Sequence, residues 1–312
     1  MIIPFIPHSK ERDASVWLSH LQTYLPDHQI CLISELSDAQ KVDVEFVVAA
    51  NPKDFDWSTL PKLKWIHSTW AGVENLISQI DLKQVRVTRL KDPDLAQVMS
   101  ESVLHWVMHL QHLVVQYAEQ QQHQVWQQHT RLSNREYNVA VLGCGELGSH
   151  AATALQTLGY KVTGWGNSAK QGLPFNYQYG LKQLEEVVAQ ANCIVLLLPL
   201  TDATRGLINR RFFDGLERSP GIINFARGAI IDEIALKEAL VKERISHAVL
   251  DVFEKEPLPP SSWMWRHPSV TVLPHISAPT NPLTASKIIA SNVSKYLLRT
   301  EVPEIVNPNR AY

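Results

Sequence analysis

An α/β protein with two doubly wound domains is the fold class that the sequence predicts, and two observations carry this prediction. Short apolar or β-branched runs alternate with segments of helical period along nearly the whole chain, which is typical of mainly parallel sheets covered by helices. Within this alternation, residues 138–152 read N-V-A-V-L-G-C-G-E-L-G-S-H-A-A, which predicts a strand, a tight turn and the start of a helix. The length of 312 residues and the hydrophobic content of 45% allow two ordinary domains, each with its own core.

The three glycines of this turn follow the spacing G-x-G-x-x-G. Gly143 is expected to make the turn, Gly145 to let the backbone approach a pyrophosphate, and Gly148 to let the helix lie close to the strand. The glycine pattern alone also occurs in turns that bind no nucleotide, but the strand before it and the helix after it favour a Rossmann dinucleotide site. We therefore predict that the cofactor is bound by Gly143, Gly145, Glu146, Leu147 and Gly148.

The first part of the chain contains five predicted strands, separated by segments that can form helices. They cover residues 1–7, 29–33, 44–49, 64–68 and 85–90. Open α/β sheets bind ligands at the carboxyl ends of their strands, so the turn after the fourth strand is a candidate anion site made of backbone N–H groups. The alternative is that this turn binds no ligand. The turn consists of Trp70, Ala71, Gly72 and Val73.

Residues 98–128 contain neither proline nor glycine and predict one helix of about 30 residues. Its first half is apolar on nearly all sides, which predicts that residues 101–115 lie in a homodimer interface, and the alternative is a core helix with a solvated end. His105, His109 and His112 have a spacing that could suit a metal. No carboxylate or cysteine complements them, so we expect no metal site.

From residue 138 onward the alternation of strands and helices becomes that of a doubly wound nucleotide-binding domain. The predicted strands cover 139–142, 161–165, 193–198, 221–225, 247–252 and 270–272, and a last helix over 284–299 is expected to return to the first domain. Residues 1–98 and 284–312 then form the predicted substrate domain. Residues 99–283 form the predicted dinucleotide-binding domain.

Charge and cysteine usage narrow the class of protein. The formal net charge is −2 and no run of Lys and Arg occurs, so we expect neither nucleic acid nor an anionic membrane as a partner. No signal-peptide core and no 18-residue apolar run is present, and three widely spaced cysteines favour a reducing compartment. These features predict a soluble, cytoplasmic protein. Cys144 lies inside the glycine turn, where we expect it to face a phosphate rather than to act as a nucleophile.

Three further stretches carry polar groups at predicted strand ends: I-N-F-A-R-G-A-I-I-D-E, L-D-V-F-E-K-E-P-L-P and L-P-H-I-S-A-P-T. Together with the glycine turn and L-L-L-P-L-T-D-A-T-R-G-L-I at 196–208, they resemble the D-isomer-specific 2-hydroxyacid dehydrogenases, and the resemblance extends over almost the whole chain. Within that family, the W-A-G-V turn, the V-L-H-W helix and residues 263–267 look most like the glyoxylate/hydroxypyruvate reductases.

The resemblance implies a Rossmann domain inserted in a flavodoxin-like substrate domain. The implied activity is NAD(P)H-dependent reduction of small 2-oxo acids, glyoxylate and hydroxypyruvate first, to the 2-hydroxy acids glycolate and D-glycerate. Two alternatives stay open, a reductase of a bulkier 2-oxo acid and a nucleotide-sensing binding protein on the same fold. The presence of all three polar stretches argues against the second.

The same resemblance implies roles for individual residues. Arg227 would hold the substrate carboxylate and polarise the carbonyl with its planar charged fork. His275 would give the carbonyl oxygen its proton, and Glu256 would hydrogen-bond the other ring nitrogen and favour the protonated ring. Asp251 would contact the nicotinamide carboxamide, and the turn at 70–73 would bind the other end of the substrate carboxylate. The cofactor cleft would be lined by Leu198, Pro199, Phe225 and Ala226.

The end of the second strand of the nucleotide-binding domain predicts which cofactor is preferred. Folds that prefer NAD place an Asp or Glu here, which binds the ribose 2′-hydroxyl and repels a 2′-phosphate. This sequence reads V-T-G-W-G-N-S-A-K, with Gly166 at that position. Asn167 and Ser168 can donate hydrogen bonds to a phosphate, and Lys170 can supply charge. We therefore predict that NADP(H) is preferred and that NAD(H) is also used.

Overall fold

The computed structural model describes residues 1–8, 14–298 and 304–306, and the chain divides into two compact units. The first unit consists of residues 1–95 and 280–312, and the second of residues 96–279. The assignment of substrate binding to the first unit and of cofactor binding to the second stays a prediction.

Helices and strands alternate throughout the described residues. In chain order they are β1 (Ile2–Ile6), α1 (Ala14–Tyr24), β2 (Gln29–Leu32), α2 (Asp38–Lys41), β3 (Phe46–Ala49), β4 (Trp65–Ser68), α3 (Glu74–Ile77), β5 (Arg86–Thr88), α4 (Pro93–Gln111), α5 (Val114–Gln122), β6 (Asn138–Leu142), α6 (Glu146–Thr157), β7 (Lys161–Gly166), β8 (Asn176–Tyr179), α7 (Leu181–Ala189), β9 (Cys193–Leu196), α8 (Arg210–Asp214), β10 (Gly221–Asn224), α9 (Glu233–Val241), β11 (His247–Leu250), β12 (Val270–Val272) and α10 (Pro282–Leu297).

The first unit is built on a five-stranded parallel sheet in the order β2-β1-β3-β4-β5. This is the strand order of flavodoxin-like folds. Strands β3 and β4 are buried along their whole length, because helices cover both faces of such a sheet, and this burial explains the continuous apolar run of β3. Helix α10 packs on α1 and buries Ile289 and Val293 in the same core. The predicted end of this last helix at Arg299 lies outside the described residues.

The second unit contains a seven-stranded parallel sheet in the order β12-β11-β10-β9-β6-β7-β8. Counted from β6, this is the Rossmann order 3-2-1-4-5-6 with one more strand beyond it. The strand order reverses between β6 and β9, and ligands of such sheets bind at the carboxyl end of this switch point. The predicted fold class, two doubly wound domains, is confirmed, and the glycine turn directly follows β6.

Strand β8 was missed by the sequence analysis. Its four residues, N-Y-Q-Y, are exposed or half-buried, because β8 is the edge strand of the larger sheet. An edge strand needs no continuous apolar run, so periodicity carries little signal for it. The omission matters because β8 pairs with β7, and the end of β7 was expected to determine which cofactor is preferred.

The prediction of one helix over residues 98–128 is wrong. Helix α4 begins at Pro93 and ends at Gln111, and Leu113 then adopts a left-handed conformation with φ 57° and ψ 33° before α5 begins. Residues that end a helix in the left-handed conformation are usually glycine, so the leucine at this position did not indicate a helix end in the sequence. The apolar residues of α4 are also partly explained within the unit, because Val103 and Val107 are fully buried in its core. Among the described residues, no helix has the length and apolarity required to cross a bilayer.

Candidate active site

The glycine turn after β6 is shaped by two close backbone approaches and one open position. A Cβ atom on Gly143, whose φ is 104°, would lie 2.5 Å from the carbonyl carbon of Leu197, and one on Gly148 would lie 1.9 Å from the Gly143 carbonyl oxygen. Gly145 caps the N-terminus of α6 and has no atom within 4 Å of its Cβ position. The first and third glycines are therefore required by packing. The second leaves space beside the positive end of a helix, which suits a pyrophosphate.

The other residues of the turn differ in exposure. Glu146 is exposed in the first turn of α6, and Leu147 is partly buried against the core. The expectation that Cys144 faces a phosphate is wrong, because its side chain is buried against β7, where a Cβ on Gly164 would lie 2.5 Å from its Sγ. Burial raises the pKa of the Cys144 thiol to about 11, so it stays protonated and is a poor nucleophile.

The segment after β9 lies directly against the glycine turn. The Cβ position of Gly143 is 2.6 Å from the backbone nitrogen of Leu198, so Leu198 and Pro199 adjoin the predicted pyrophosphate site. The hydroxyl of Thr204 donates a 2.6 Å hydrogen bond to the Pro199 carbonyl and accepts one of 2.8 Å from the Thr201 N–H. These bonds fix the loop after β9 as one wall of the switch point.

Arg227 follows β10 and is placed by its neighbours on both sides. Phe225 and Ala226 are buried, and the Asn224 side chain accepts from the Ala226 N–H and donates to the Arg227 carbonyl. A Cβ on Gly228 would lie 2.0 Å from the Phe253 carbonyl carbon, so only glycine allows this turn to touch the loop after β11. Arg227 is half-buried, and its guanidinium donates a 2.7 Å hydrogen bond to the Ala226 carbonyl.

Glu256 and His275 form a hydrogen-bonded pair at the ends of two neighbouring strands. The Nδ1 atom of His275 lies 2.9 Å from Oε2 of Glu256, and the other carboxylate oxygen accepts a 3.1 Å hydrogen bond from the Phe253 N–H. The backbone bond holds the carboxylate, and the carboxylate in turn orients the imidazole ring. The His275 side chain is 47% exposed, so its other ring nitrogen can reach a substrate.

The backbone around His275 is strained and is held by Asp251 and Ser102. His275 has φ 58°, in the left-handed region that non-glycine residues seldom adopt. Both carboxylate oxygens of the buried Asp251 accept backbone N–H bonds, 2.7 Å from Ile276 and 2.9 Å from Ser277, and the Ser102 hydroxyl donates to the Ser277 carbonyl at 2.5 Å. The expected contact of Asp251 with the nicotinamide stays a prediction. Its two bonds show in addition that Asp251 positions the histidine loop.

Two other histidines are unsuited to acid chemistry near neutral pH. Burial lowers the pKa of His67 to about 4, and burial together with the charges of His109 and His267 lowers the pKa of His247 to about 4. Both rings are therefore neutral at pH 7. No group of three or more His, Cys, Asp and Glu side chains that could hold a metal ion occurs among residues 1–8, 14–298 and 304–306.

The end of β7 carries no acidic group and is covered by a tyrosine. Gly166 is the last residue of the strand, Asn167, Ser168 and Lys170 after it are exposed, and the Lys170 ammonium donates to the Cys144 carbonyl in the glycine turn. The hydroxyl of Tyr177 donates a 2.8 Å hydrogen bond to the Ser168 carbonyl. Tyr177 was not a candidate in the sequence analysis, because the strand that carries it was not predicted.

The turn after β4 belongs to the first unit. Trp70, Ala71 and Gly72 are partly exposed, whereas Val73 is buried, so Val73 can offer only its backbone. The Trp70 N–H already donates to the Ser68 hydroxyl at 3.0 Å, and the Trp70 ring stacks on His8 at 5.1 Å between centroids. The predicted anion site therefore depends on Ala71 and Gly72 more than on Trp70.

Comparison with known proteins identifies the family. Residues 104–277 match the family model described as D-isomer specific 2-hydroxyacid dehydrogenase, NAD binding domain. A D-isomer specific 2-hydroxyacid dehydrogenase of Xanthobacter autotrophicus Py2, solved with NADPH and MES, is 32% identical with a TM-score of 0.92, and the match covers 99% of both chains. This chain belongs to the D-isomer specific 2-hydroxyacid dehydrogenase family.

Two further solved relatives of this dehydrogenase are informative. A probable 2-hydroxyacid dehydrogenase of Rhizobium etli CFN 42, in complex with NADP, HEPES and L(+)-tartaric acid, is 25% identical over 100% of both chains with a TM-score of 0.88. The NADPH-dependent glyoxylate/hydroxypyruvate reductase of Sinorhizobium meliloti, in complex with NADP and sulfate, has the same fold, with 24% identity, a TM-score of 0.89 and coverage of 100% and 99%. Its apo form matches 62% of this chain and 98% of its own at 32% identity and a TM-score of 0.58.

Proposed function

We propose that this dehydrogenase reduces small 2-oxo acids, with glyoxylate and hydroxypyruvate as the leading substrates and glycolate and D-glycerate as the products, and that it prefers NADPH. The single observation that carries the proposal is the arrangement of Arg227, Glu256 and His275 at the ends of β10, β11 and β12. These three side chains belong to the same unit as the glycine turn, and they supply a carboxylate-binding cation and a proton donor.

The three side chains have distinct tasks in this proposal. Arg227 binds the substrate carboxylate and draws electron density from the adjacent carbonyl. His275, protonated and hydrogen-bonded to Glu256 through Nδ1, gives the proton on its other ring nitrogen to the carbonyl oxygen and is left neutral. The glycine turn after β6 would hold NADPH, which when bound would supply the hydride for the carbonyl carbon. Asp251 and Ser102 keep the His275 loop in its left-handed conformation.

The residues present suit a dinucleotide with a 2′-phosphate. The open space at Gly145 beside the N-terminus of α6 fits a pyrophosphate, and the absence of a carboxylate at Gly166 removes the group that would repel a 2′-phosphate. The exposed side chains of Asn167, Ser168 and Lys170 can donate hydrogen bonds or charge. Two relatives similar to this chain were solved with NADPH or NADP, which supports the same cofactor here.

The test is a steady-state assay of the purified protein with NADPH and NADH against a panel of 2-oxo acids, followed at the nicotinamide absorbance band. We expect the highest kcat/KM for glyoxylate or hydroxypyruvate with NADPH, and lower but measurable activity with NADH. A preference for a branched or aromatic 2-oxo acid would favour the reductase of bulkier substrates. Nucleotide binding without turnover of any 2-oxo acid would favour a sensing protein, and a preference for NADH would contradict the cofactor proposal.

The pairing of Glu256 with His275 predicts a shift in the pH profile of reduction. In Glu256→Gln the neutral amide no longer stabilises the positive ring, so the acid form should be lost at lower pH and the alkaline limb of kcat/KM should move down. The matched control is Glu254→Gln, which removes an exposed carboxylate of the same loop. An alkaline limb that stays in place or moves up in Glu256→Gln would contradict the pairing.

We further propose that the protein is a homodimer in a reducing, cytoplasmic compartment. Helix α5 buries none of its residues within the unit, and Tyr117, Val125 and Trp126 are exposed, with Trp126 at 97%. Exposed apolar surface of this kind is typical of a subunit interface, here with a second copy of the chain. All three cysteines are free and buried, which suits reducing conditions. Sedimentation that gives a monomer at micromolar concentration would contradict the dimer.

A further inference from the structure

Two glycines on one face of β7 leave space that two aromatic side chains fill. A Cβ atom on Gly164 would lie 2.7 Å from Cε2 of Phe175, and one on Gly166 would lie 2.5 Å from the hydroxyl oxygen of Tyr177. Residues two apart on a strand point to the same side, so Gly164 and Gly166 form one groove. Phe175 and Tyr177 occupy it, together with the Sγ of Cys144 beside Gly164. The Tyr177 side chain therefore reaches the backbone of β7 at Gly166, the position where folds that prefer NAD carry an Asp or Glu.

The Tyr177 hydroxyl also ties β8 to the chain that follows β7. The hydroxyl donates a 2.8 Å hydrogen bond to the Ser168 carbonyl, and the ring that carries it packs on the buried core of the unit. Residues 167–175 contain neither helix nor strand, so few backbone bonds hold them. The phenol therefore fixes one backbone position of this segment. The exposed side chains of Asn167 and Ser168 lie where Rossmann folds bind the adenosine ribose.

From these contacts we infer that Tyr177 determines cofactor specificity: it excludes an acidic side chain from position 166 and positions the 167–170 segment for the 2′-phosphate of NADPH. This inference rests on the proposed function for the class of cofactor. Tyr177 acts through the backbone of Ser168 and through the volume it occupies.

The steric part of the inference couples positions 166 and 177. An aspartate at 166 would bring its Cβ within 2.5 Å of the tyrosine oxygen, so either the ring or the strand end must move. Without that oxygen, the nearest tyrosine atom would be Cζ at 3.5 Å, an ordinary van der Waals contact. Tyr177→Phe should therefore make room for Asp at 166, which the tyrosine opposes.

The first experiment measures the binding of adenosine 2′,5′-bisphosphate and of adenosine 5′-monophosphate by calorimetry, with no turnover required. Tyr177→Phe should weaken the bisphosphate about fivefold, as expected for one net hydrogen bond, and should change the monophosphate less than about twofold. Tyr179→Phe, an exposed tyrosine on the same strand, is the matched control and should change neither. An unchanged bisphosphate affinity, or an equal loss for both nucleotides, would overturn the positioning role.

The second experiment is a double-mutant cycle with Gly166→Asp and Tyr177→Phe, with thermal melts to establish that each variant is folded. Gly166→Asp alone should weaken both nucleotides, because the displaced ring disturbs the 167–170 segment. The double variant should recover monophosphate binding while the bisphosphate stays at least about tenfold weaker than in the wild type. Additive effects of the two substitutions would overturn the coupling. A wild-type protein that binds neither nucleotide would instead contradict the proposed dinucleotide site, which separates the two failures.

Discussion

Replacing Arg227 by alanine should reduce kcat/KM for glyoxylate or hydroxypyruvate by about 10³-fold or more. A planar guanidinium can bind a carboxylate through two parallel hydrogen bonds and can also polarise the neighbouring carbonyl, and alanine removes both interactions. The loss should therefore affect kcat as well as KM. The measurement is steady-state kinetics with saturating NADPH.

Two further variants sharpen this prediction. Arg227→Lys keeps the charge but not the fork and should be intermediate. Arg210→Ala, which removes an exposed arginine paired with Glu238 on the surface, should retain wild-type kinetics. Because Arg227 also bonds the Ala226 carbonyl, thermal melts must accompany the kinetics to separate lost activity from lost folding. A folded Arg227→Ala enzyme with near-normal turnover would rule out the assigned role.

Replacing His275 by glutamine should reduce kcat by about 10²- to 10⁴-fold while leaving NADPH binding almost intact, since general acid catalysis contributes on that scale. Glutamine cannot give up a proton, but it can still hydrogen-bond Glu256. The cofactor is expected to meet the glycine turn and the end of β7, so its affinity should not depend on the imidazole. We therefore expect a strongly reduced kcat together with an almost unchanged NADPH affinity, which calorimetry measures.

The backbone of His275 calls for a second variant. Its φ of 58° is better tolerated by asparagine than by most residues, so His275→Asn tests whether strain rather than chemistry explains the loss. Both variants should lose kcat to a similar extent. His20→Gln on α1, in the other unit, is a control that should change nothing. Turnover restored in His275→Asn would show that the imidazole is not the proton donor.

Asp251 shows why a residue can be found from sequence while its bonds cannot. Its place at the end of β11 follows from the apolar run that precedes it, and the family resemblance marks it as a cofactor residue. Both of its oxygens nevertheless accept from the N–H groups of residues 276 and 277, some 25 positions later in the chain. Such a bond depends on how neighbouring strand ends meet in the sheet. Ser102 lies on helix α4, and it was missed because its bond to the Ser277 carbonyl likewise depends on tertiary packing.

The sequence by itself determined the alternation of parallel strands and helices, the glycine turn and the strand ends that carry Arg227, Glu256 and His275. These features are local: a buried parallel strand needs a continuous apolar run, and a turn this tight needs glycine. Only the tertiary structure decided the break at Leu113, the edge strand β8 and the contact between Tyr177 and Gly166. An edge strand is only half-buried, so it shows no periodic apolar pattern. The left-handed residue is a leucine rather than a glycine, so the sequence contains no helix-ending residue at this position. The tyrosine meets the glycine because two strands pair in one register, and pairing register is a property of the sheet.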